Sequence, residues 1–381
     1  MQNADNICHR KGVNVDLATA KTRLQTLRKG LKQQHIPAMI VLSVENIRYL
    51  TGFTGHDSWL LVLPEKAVLI TDSRYTEQAR GECKGCAVFE RKGGLAAAAM
   101  QFIEKYRGIR KLGLEDTAPI SLLKTIKKTI KCTIIPTGGL VEPQRAIKTA
   151  EEVKAIETAA KIAWTALRRT LPLAKTGMTE AELAAALDFN MKMLGGTAGF
   201  DTIVCFGANA SRNHHQPGGR KLKQNDTILI DFGCKYDGYT CDITRCFVVG
   251  KPAPYYRKAY EAVAAAQKAA IEMVKPGVRM ADVDAACRKV LADAKVAIYG
   301  HGTGHGIGLE VHEAPRISSL AKKETFAPGQ VITIEPGSYE SGKLGIRIED
   351  DILVTEKGCK LLTRIKGLWF DPQQVTVIKS K

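Results

Sequence analysis

No stretch of this 381-residue chain stays apolar for the ~20 residues a membrane-spanning helix needs, so an integral membrane protein of that kind is excluded. The first sixteen residues, MQNADNICHRKGVNVD, lack the apolar core of a secretion signal; they read as a loose leader (1–16), and the cytoplasm is the expected compartment. Aromatic residues make up only 6% of the chain, and no nucleic-acid-binding module is evident, which argues against nucleic acid as a partner despite a formal charge of +17. Acidic residues are the scarcer sign, most of all early on: residues 1–150 hold 24 Lys/Arg against 13 Asp/Glu, and the remainder 32 against 26. Lys124, Lys127, Lys128 and Lys131 recur at helical spacing in SLLKTIKKTIK, the pattern of a solvated helix face. Cysteines number ten, but the single CxxC, Cys83 to Cys86, has no second CxxC or CxxH nearby. Ordinary thiols in a reducing compartment are therefore expected rather than structural zinc.

What is present describes a globular α/β protein. Hydrophobic content of 45% and charged content of 25% are ordinary, and the length suffices for two domains with substantial cores. A boundary near 147 divides the chain into domains 17–146 and 147–381. The first alternates a basic helix near 18–34, strand Ala38–Leu42, a hairpin of WLLVLP and AVLITD across Glu65-Lys66, strand KLGLED, helix SLLKTIKKTI and strand CTIIP. The second opens at a capping box, Thr149 to Glu152, and a further box, Thr179 to Glu182, starts another helix that Gly195-Gly196 ends. A faint repeat appears one hundred residues apart, Lys175-Thr-Gly177 against Lys275-Pro-Gly277, each after an Ala-rich helix, and suggests two related αβ halves.

The chemistry lies in five scattered residues. Asp231 (ILIDFG) and Asp242 (YTCDITR) stand almost symmetrically about the turn Tyr236-Asp237-Gly238, so a hairpin would present both on one face. Glu335 (VITIEPGSY) and Glu349 (GIRIEDDILV) flank Ser341 to Gly345 in the same way. His305 lies in HGTGHGIGLEVHE. Two like charges ~4 Å apart repel by about 4 kcal/mol at an effective dielectric near 20, so four converging carboxylates call for cations. Two divalent ions would balance them, and oxygen ligands with one imidazole suit Mn, Co, Fe or Zn.

These segments resemble the pita-bread metallopeptidases, the group holding aminopeptidase P, prolidase and methionine aminopeptidase, from about Val44 to Thr355. The resemblance implies a creatinase-type N-terminal α/β domain followed by a duplicated pita-bread catalytic domain. It implies that Asp231 chelates one metal, that Asp242 and Glu349 bridge two, and that His305 and Glu335 complete the second, with hydroxide between the ions. His214 matches a family histidine beside the scissile carbonyl, although Asn213 replaces the usual proline and the adjacent His215 leaves a choice of imidazole. His312 matches a histidine that steadies the tetrahedral intermediate, His301 and Arg347 match positions shaping the pocket after the scissile bond, and Glu335 is the candidate proton carrier. The implied activity is that of an Xaa-Pro aminopeptidase acting on proline-containing peptides, with Mn the first metal and a homodimer the family expectation. The alternatives are a prolidase restricted to Xaa-Pro dipeptides and a non-catalytic binding module.

Overall fold

The computed structural model describes residues 15–106 and 108–378, which fall into two compact units within Asn14–Arg145 and Ala146–Lys381. Most of the expected leader lies outside the described residues. Its last two positions are described: Val15 is buried, and Asp16 caps helix Leu17–Gln33 by accepting the Thr19 N–H at 2.7 Å. That helix buries Ala20, Leu24, Leu27 and Leu31, one apolar stripe at helical spacing.

The first unit is an α/β layer structure around a six-stranded sheet. Strands Trp59–Val62 and Ala67–Thr71 form the expected hairpin, closed by Leu63 N–H donating to Lys66 O at 2.8 Å. Met39–Val41, Lys111–Glu115 and Thr133–Thr137 run parallel beside it, joined by crossover connections. Lys124, Lys127 and Lys128 lie exposed on helix Ile120–Thr129 as the spacing predicts, with Ile126 turned inward. The nine cysteines among the described residues are all free thiols.

The second unit shows the duplication. Helices Ala150–Thr170 and Glu180–Met193 make the first pair, and Pro254–Met273 and Met280–Asp293 the second. Both anticipated capping boxes are formed. Gly177 and Gly277 adopt φ of +95° and +82°, which favours glycine, and each begins the same small motif. Gly177 N–H donates to Leu222 O and Leu222 N–H to Met178 O; Gly277 N–H donates to Phe326 O and Phe326 N–H to Val278 O. The halves thus share backbone hydrogen bonding that their side chains barely reveal.

The two acidic hairpins are real but interrupted. At the first, Asp237 and Gly238 both take positive φ, 49° and 77°, as a tight hairpin turn requires. Thr227–Phe232 pairs with Ile243–Val249, while the intervening Cys234–Tyr236 and Tyr239–Thr240 leave that sheet to join Thr197–Ala198. Asp231 pairs directly with Thr244, and Asp242 stands two residues from Thr244 on the same face. At the second hairpin, Val331–Ile334 pairs with Asp350–Val354 and Gly337–Glu340 with Leu344–Arg347, in separate sheets. Glu335 and Glu349 fall in the gap between those ladders. Their freed backbone N–H groups reach other segments: Glu335 donates to Thr303 O at 2.8 Å and Glu349 to Thr244 O at 3.2 Å. The break in the hairpin stitches it to the histidine segment on one side and to the aspartate hairpin on the other.

Candidate metal centre

Those stitches bring the scattered residues together. Asp242, His305 and Glu349 each offer a ligand atom, and these atoms lie within 4.8 Å of one another. His305 Nε2 stands 3.5 Å from Glu335 Oε1 and 3.9 Å from Asp242 Oδ2. The ring's other nitrogen, Nδ1, is 3.0 Å from Gly306 O, a contact that leaves Nε2 as the free lone pair when Nδ1 carries the proton. The flanking glycines are sterically required, since a Cβ at Gly304 would collide with Thr333 O and one at Gly306 with Ala314 O. The strand bearing His305 can approach its neighbours only without side chains there.

Asp231 enters the group from the first hairpin and is held from behind. Arg347 Nη2 donates to its Oδ2 at 2.6 Å, Nη1 donates to Tyr339 Oη at 2.9 Å, and Nε donates to Thr244 Oγ1 at 3.1 Å. Thr244 in turn donates to Glu349 Oε2 at 2.6 Å. Arg347, expected to shape a substrate pocket, is 4% exposed and spends these donors on protein groups. Its position is that of a fixed counter-charge behind Asp231, and the physical reason is its strand: it pairs with Gly337 in a ladder packed beneath the site.

The electrostatics match an acid cluster in need of cations. Burial pushes Asp242 and Glu349 far above the usual carboxylate range, and the neighbouring carboxylates add to it: Glu349 and Asp231 act on Asp242, Glu335 and Asp231 on Glu349. Glu335 is raised to about 8 by burial, with Asp231 adding to the shift and Arg347 opposing it. Two atoms decide the fit. Asp231 Oδ1 and Asp242 Oδ1 are both buried with no hydrogen-bond partner, although buried carboxylate oxygens are ordinarily satisfied. Orphaned acceptors beside a free imidazole nitrogen are a donor set suited to divalent metal. Asp231, Asp242, His305, Glu335 and Glu349 are the residues that could hold it.

His301 and His312 lie beside this cluster. His305 is lowered to about 4 by burial and then by His312, whose ring packs edge-on against it at 4.3 Å between centroids. His301 is also lowered to about 4, chiefly by burial; its Nδ1 lies 3.8 Å from Glu335 Oε2 and its Nε2 3.3 Å from Tyr339 Oη. His214 is exposed and is among the lesser influences that lower His301 and His312, which puts it in their neighbourhood. His215 turns the other way, with Nε2 2.8 Å from the buried carboxylate of Glu180.

Three residues near the centre escaped the sequence reading. Thr244 was visible only as the residue two after Asp242, a spacing that puts it on the same strand face. Tyr339 carried no signal beyond its place in the second hairpin. Arg316 is exposed, stands opposite His305 in the strand pairing, and its charge lowers His312 and His305. A lone Arg after a Pro in EAPRI gives no hint of that register.

A family model for metallopeptidase family M24 matches residues 154–356, and one for the creatinase/prolidase N-terminal domain matches 23–147. An uncharacterized peptidase of Bacillus subtilis (strain 168), YqhT, is 37% identical over 90% of this chain and 97% of its own. Among solved structures, an Xaa-Pro dipeptidase from Bacillus anthracis superposes with a TM-score of 0.88 at 33% identity, covering 94% of this chain and 100% of that one. An X-Pro aminopeptidase from Thermotoga maritima gives 0.83 at 32% identity, covering 93% and 99%.

Proposed function

This chain belongs to metallopeptidase family M24, and from that premise we propose that it hydrolyses the peptide bond preceding proline, acting as an Xaa-Pro aminopeptidase. The observation that carries the reading is the pair of orphaned aspartate oxygens within a buried cluster of acids around a free imidazole nitrogen. When bound, two divalent ions, Mn first and Co, Zn or Fe as substitutes, would supply the Lewis acidity that acidifies water and polarises a carbonyl. Asp231 would hold one ion, Asp242 and Glu349 would be shared, and His305 and Glu335 would complete the other.

The chain's own groups then divide the work. Glu335, as the carboxylate, accepts a proton from the attacking water and passes it to the leaving nitrogen. The ring N–H groups of His214 and His312 stabilise negative charge developing on the carbonyl oxygen. His301, with Tyr339 beside it, faces the residue that leaves. A bond to proline is a tertiary amide with fixed φ and no N–H, so selection rests on shape rather than on a hydrogen bond to the scissile nitrogen.

A second reading is a prolidase confined to Xaa-Pro dipeptides. Such an enzyme must hold a free carboxylate just after the scissile bond. Arg347 has its donors on protein groups, but the exposed Arg316 opposite His305 is favourably sited for that role. Turnover of Xaa-Pro and Xaa-Pro-Xaa substrates by the Mn- or Co-loaded protein discriminates the two. Preference for the tripeptide supports the aminopeptidase. Activity confined to the dipeptide, with KM rising at least tenfold in Arg316→Ala, supports the prolidase, and hydrolysis of neither rejects both.

A further inference from the structure

The carboxyl group of Glu180 is fully buried at the start of helix Glu180–Met193, and the chemistry above makes no use of it. Its contacts come from four points of one segment. Oε1 accepts the Phe206 N–H at 2.7 Å and an Asn209 Nδ2 hydrogen at 2.9 Å. Oε2 accepts the Gly218 N–H at 3.2 Å and faces His215 Nε2 at 2.8 Å. Segment 206–218 is thereby drawn around a single carboxyl group, and His214 lies within it, beside the histidine that this group engages. The segment has little regular structure of its own beyond the short 3-10 turn Gly207–Ser211. Its first part also rests on the second acidic hairpin, where Gly342 N–H donates to Ser211 Oγ at 3.1 Å. The Glu180 side chain spans both ends.

We propose that Glu180 is a positioning residue for the reaction: by gripping segment 206–218 and turning His215 inward, it fixes the His214 imidazole towards the metal centre. This rests on the role given to His214 in the proposed function. The other half of the unit contains a parallel. Asp284, buried on helix Met280–Asp293, accepts from Arg288 Nε and from Thr303 Oγ1, each at 2.7 Å. Arg288 donates onward to Tyr299 O at 2.8 Å and His301 O at 2.7 Å. In each half a buried acid on the second helix secures the segment that carries an exposed or half-exposed site histidine. Different partners reach the same result, as expected if an imidazole on a loop must be immobilised to act on a reacting atom.

Glu180→Gln tests this, because the amide keeps the shape but offers one accepting oxygen and one donating nitrogen, so half of the grip fails. The chain has eight histidines, and the His214 imidazole resonance is assigned by its loss in His214→Ala. In Glu180→Gln that resonance should move or broaden while the one from His305 stays; an unchanged His214 signal overturns the proposal whether or not any peptide is cleaved. In the metal-loaded protein, Glu180→Gln should lower kcat for an Xaa-Pro peptide at least tenfold with two metals still bound, and less than twofold when His214 is already alanine. Equal loss in both backgrounds indicates general damage and rejects the positioning role. If Glu180→Gln does not fold, Asn209→Ala and His215→Asn each remove one partner and must show the same dependence on His214. Absence of hydrolysis by the wild type defeats the proposed function instead, and the imidazole spectra then decide the inference alone.

Discussion

Glu349 and Asp350 are adjacent in sequence and both sealed from solvent, yet their surroundings are opposite. Asp350 is surrounded by donors: Arg245 Nη2 at 2.7 Å, Thr363 Oγ1 at 2.6 Å and Gln267 Nε2 at 3.0 Å. Glu349 receives Thr244 Oγ1, keeps Arg347 Nε only at 4.0 Å, and faces Asp242 and Glu335. Alternation on the strand sends the two side chains to opposite faces, one into a finished network and the other into an acid cluster with orphaned oxygens. A buried acid with a structural role comes with its donors, whereas an acid meant for a cation lacks them.

Removing one charge from each side should sharpen this contrast, and the larger effect is on activity. Asp242→Asn should lower peptide hydrolysis by about 10³-fold or more and reduce the bound metal below two per chain if Asp242 holds metal as proposed. The same variant without metal should be at least as stable as wild type, since a repelling charge has gone. Metal analysis and urea unfolding check both halves, and a metal-free Asp242→Asn that unfolds more readily would break the comparison.

Asp350→Asn should do the reverse. Leaving Arg245 buried without its carboxylate should cost about 3–5 kcal/mol in stability, measured by urea unfolding. The folded fraction should still bind two metals. Loss of metal with unchanged stability would mean that Asp350 belongs functionally with Glu349.

The smallest expected effect is a pH dependence confined to the metal-free protein. Glu335 titrates at about 8 in the fold against 4.5 unfolded, so between those values the folded state retains a proton that the unfolded state has released. Rising pH therefore favours unfolding, and Asp242 and Glu349, also raised, act in the same sense. His301 and His305, lowered to about 4, act oppositely, but only up to their unfolded value of 6.5. From pH 6.5 to 8 these histidines no longer oppose the acids, and stability should fall by about 1.4 kcal/mol per pH unit for each proton the acids retain. Metal-loaded protein should show no such slope. Unfolding midpoints across that interval decide it, and a flat metal-free profile would contradict the charge-repulsion account.

Much of the fold was legible in the chain because local rules carried it. Hairpin turns at Glu65-Lys66 and Asp237-Gly238, capping boxes at Thr149 and Thr179, and the alternating apolar runs are short-range chemistry, and each formed as its residues dictate. The repeat at Gly177 and Gly277 was faint in sequence because the halves share backbone hydrogen bonds rather than side chains. The partners of Arg347, namely Asp231, Tyr339 and Thr244, were hidden for a related reason: spacing places a residue on a strand but does not reveal what lies behind that strand.

The sequence by itself determined which residues could bind cations and which of them share a hairpin, since strand alternation and turn chemistry act over a few residues. Tertiary structure decided what unites the hairpins and what each acid experiences. Glu335 and Glu349 leave their own ladder to bond with Thr303 and Thr244, contacts more than thirty and one hundred residues away in the chain. Only that folding buries Asp231 and Asp242 with unpartnered oxygens while giving Asp350 its arginine, because desolvation and donor supply depend on neighbours distant in sequence.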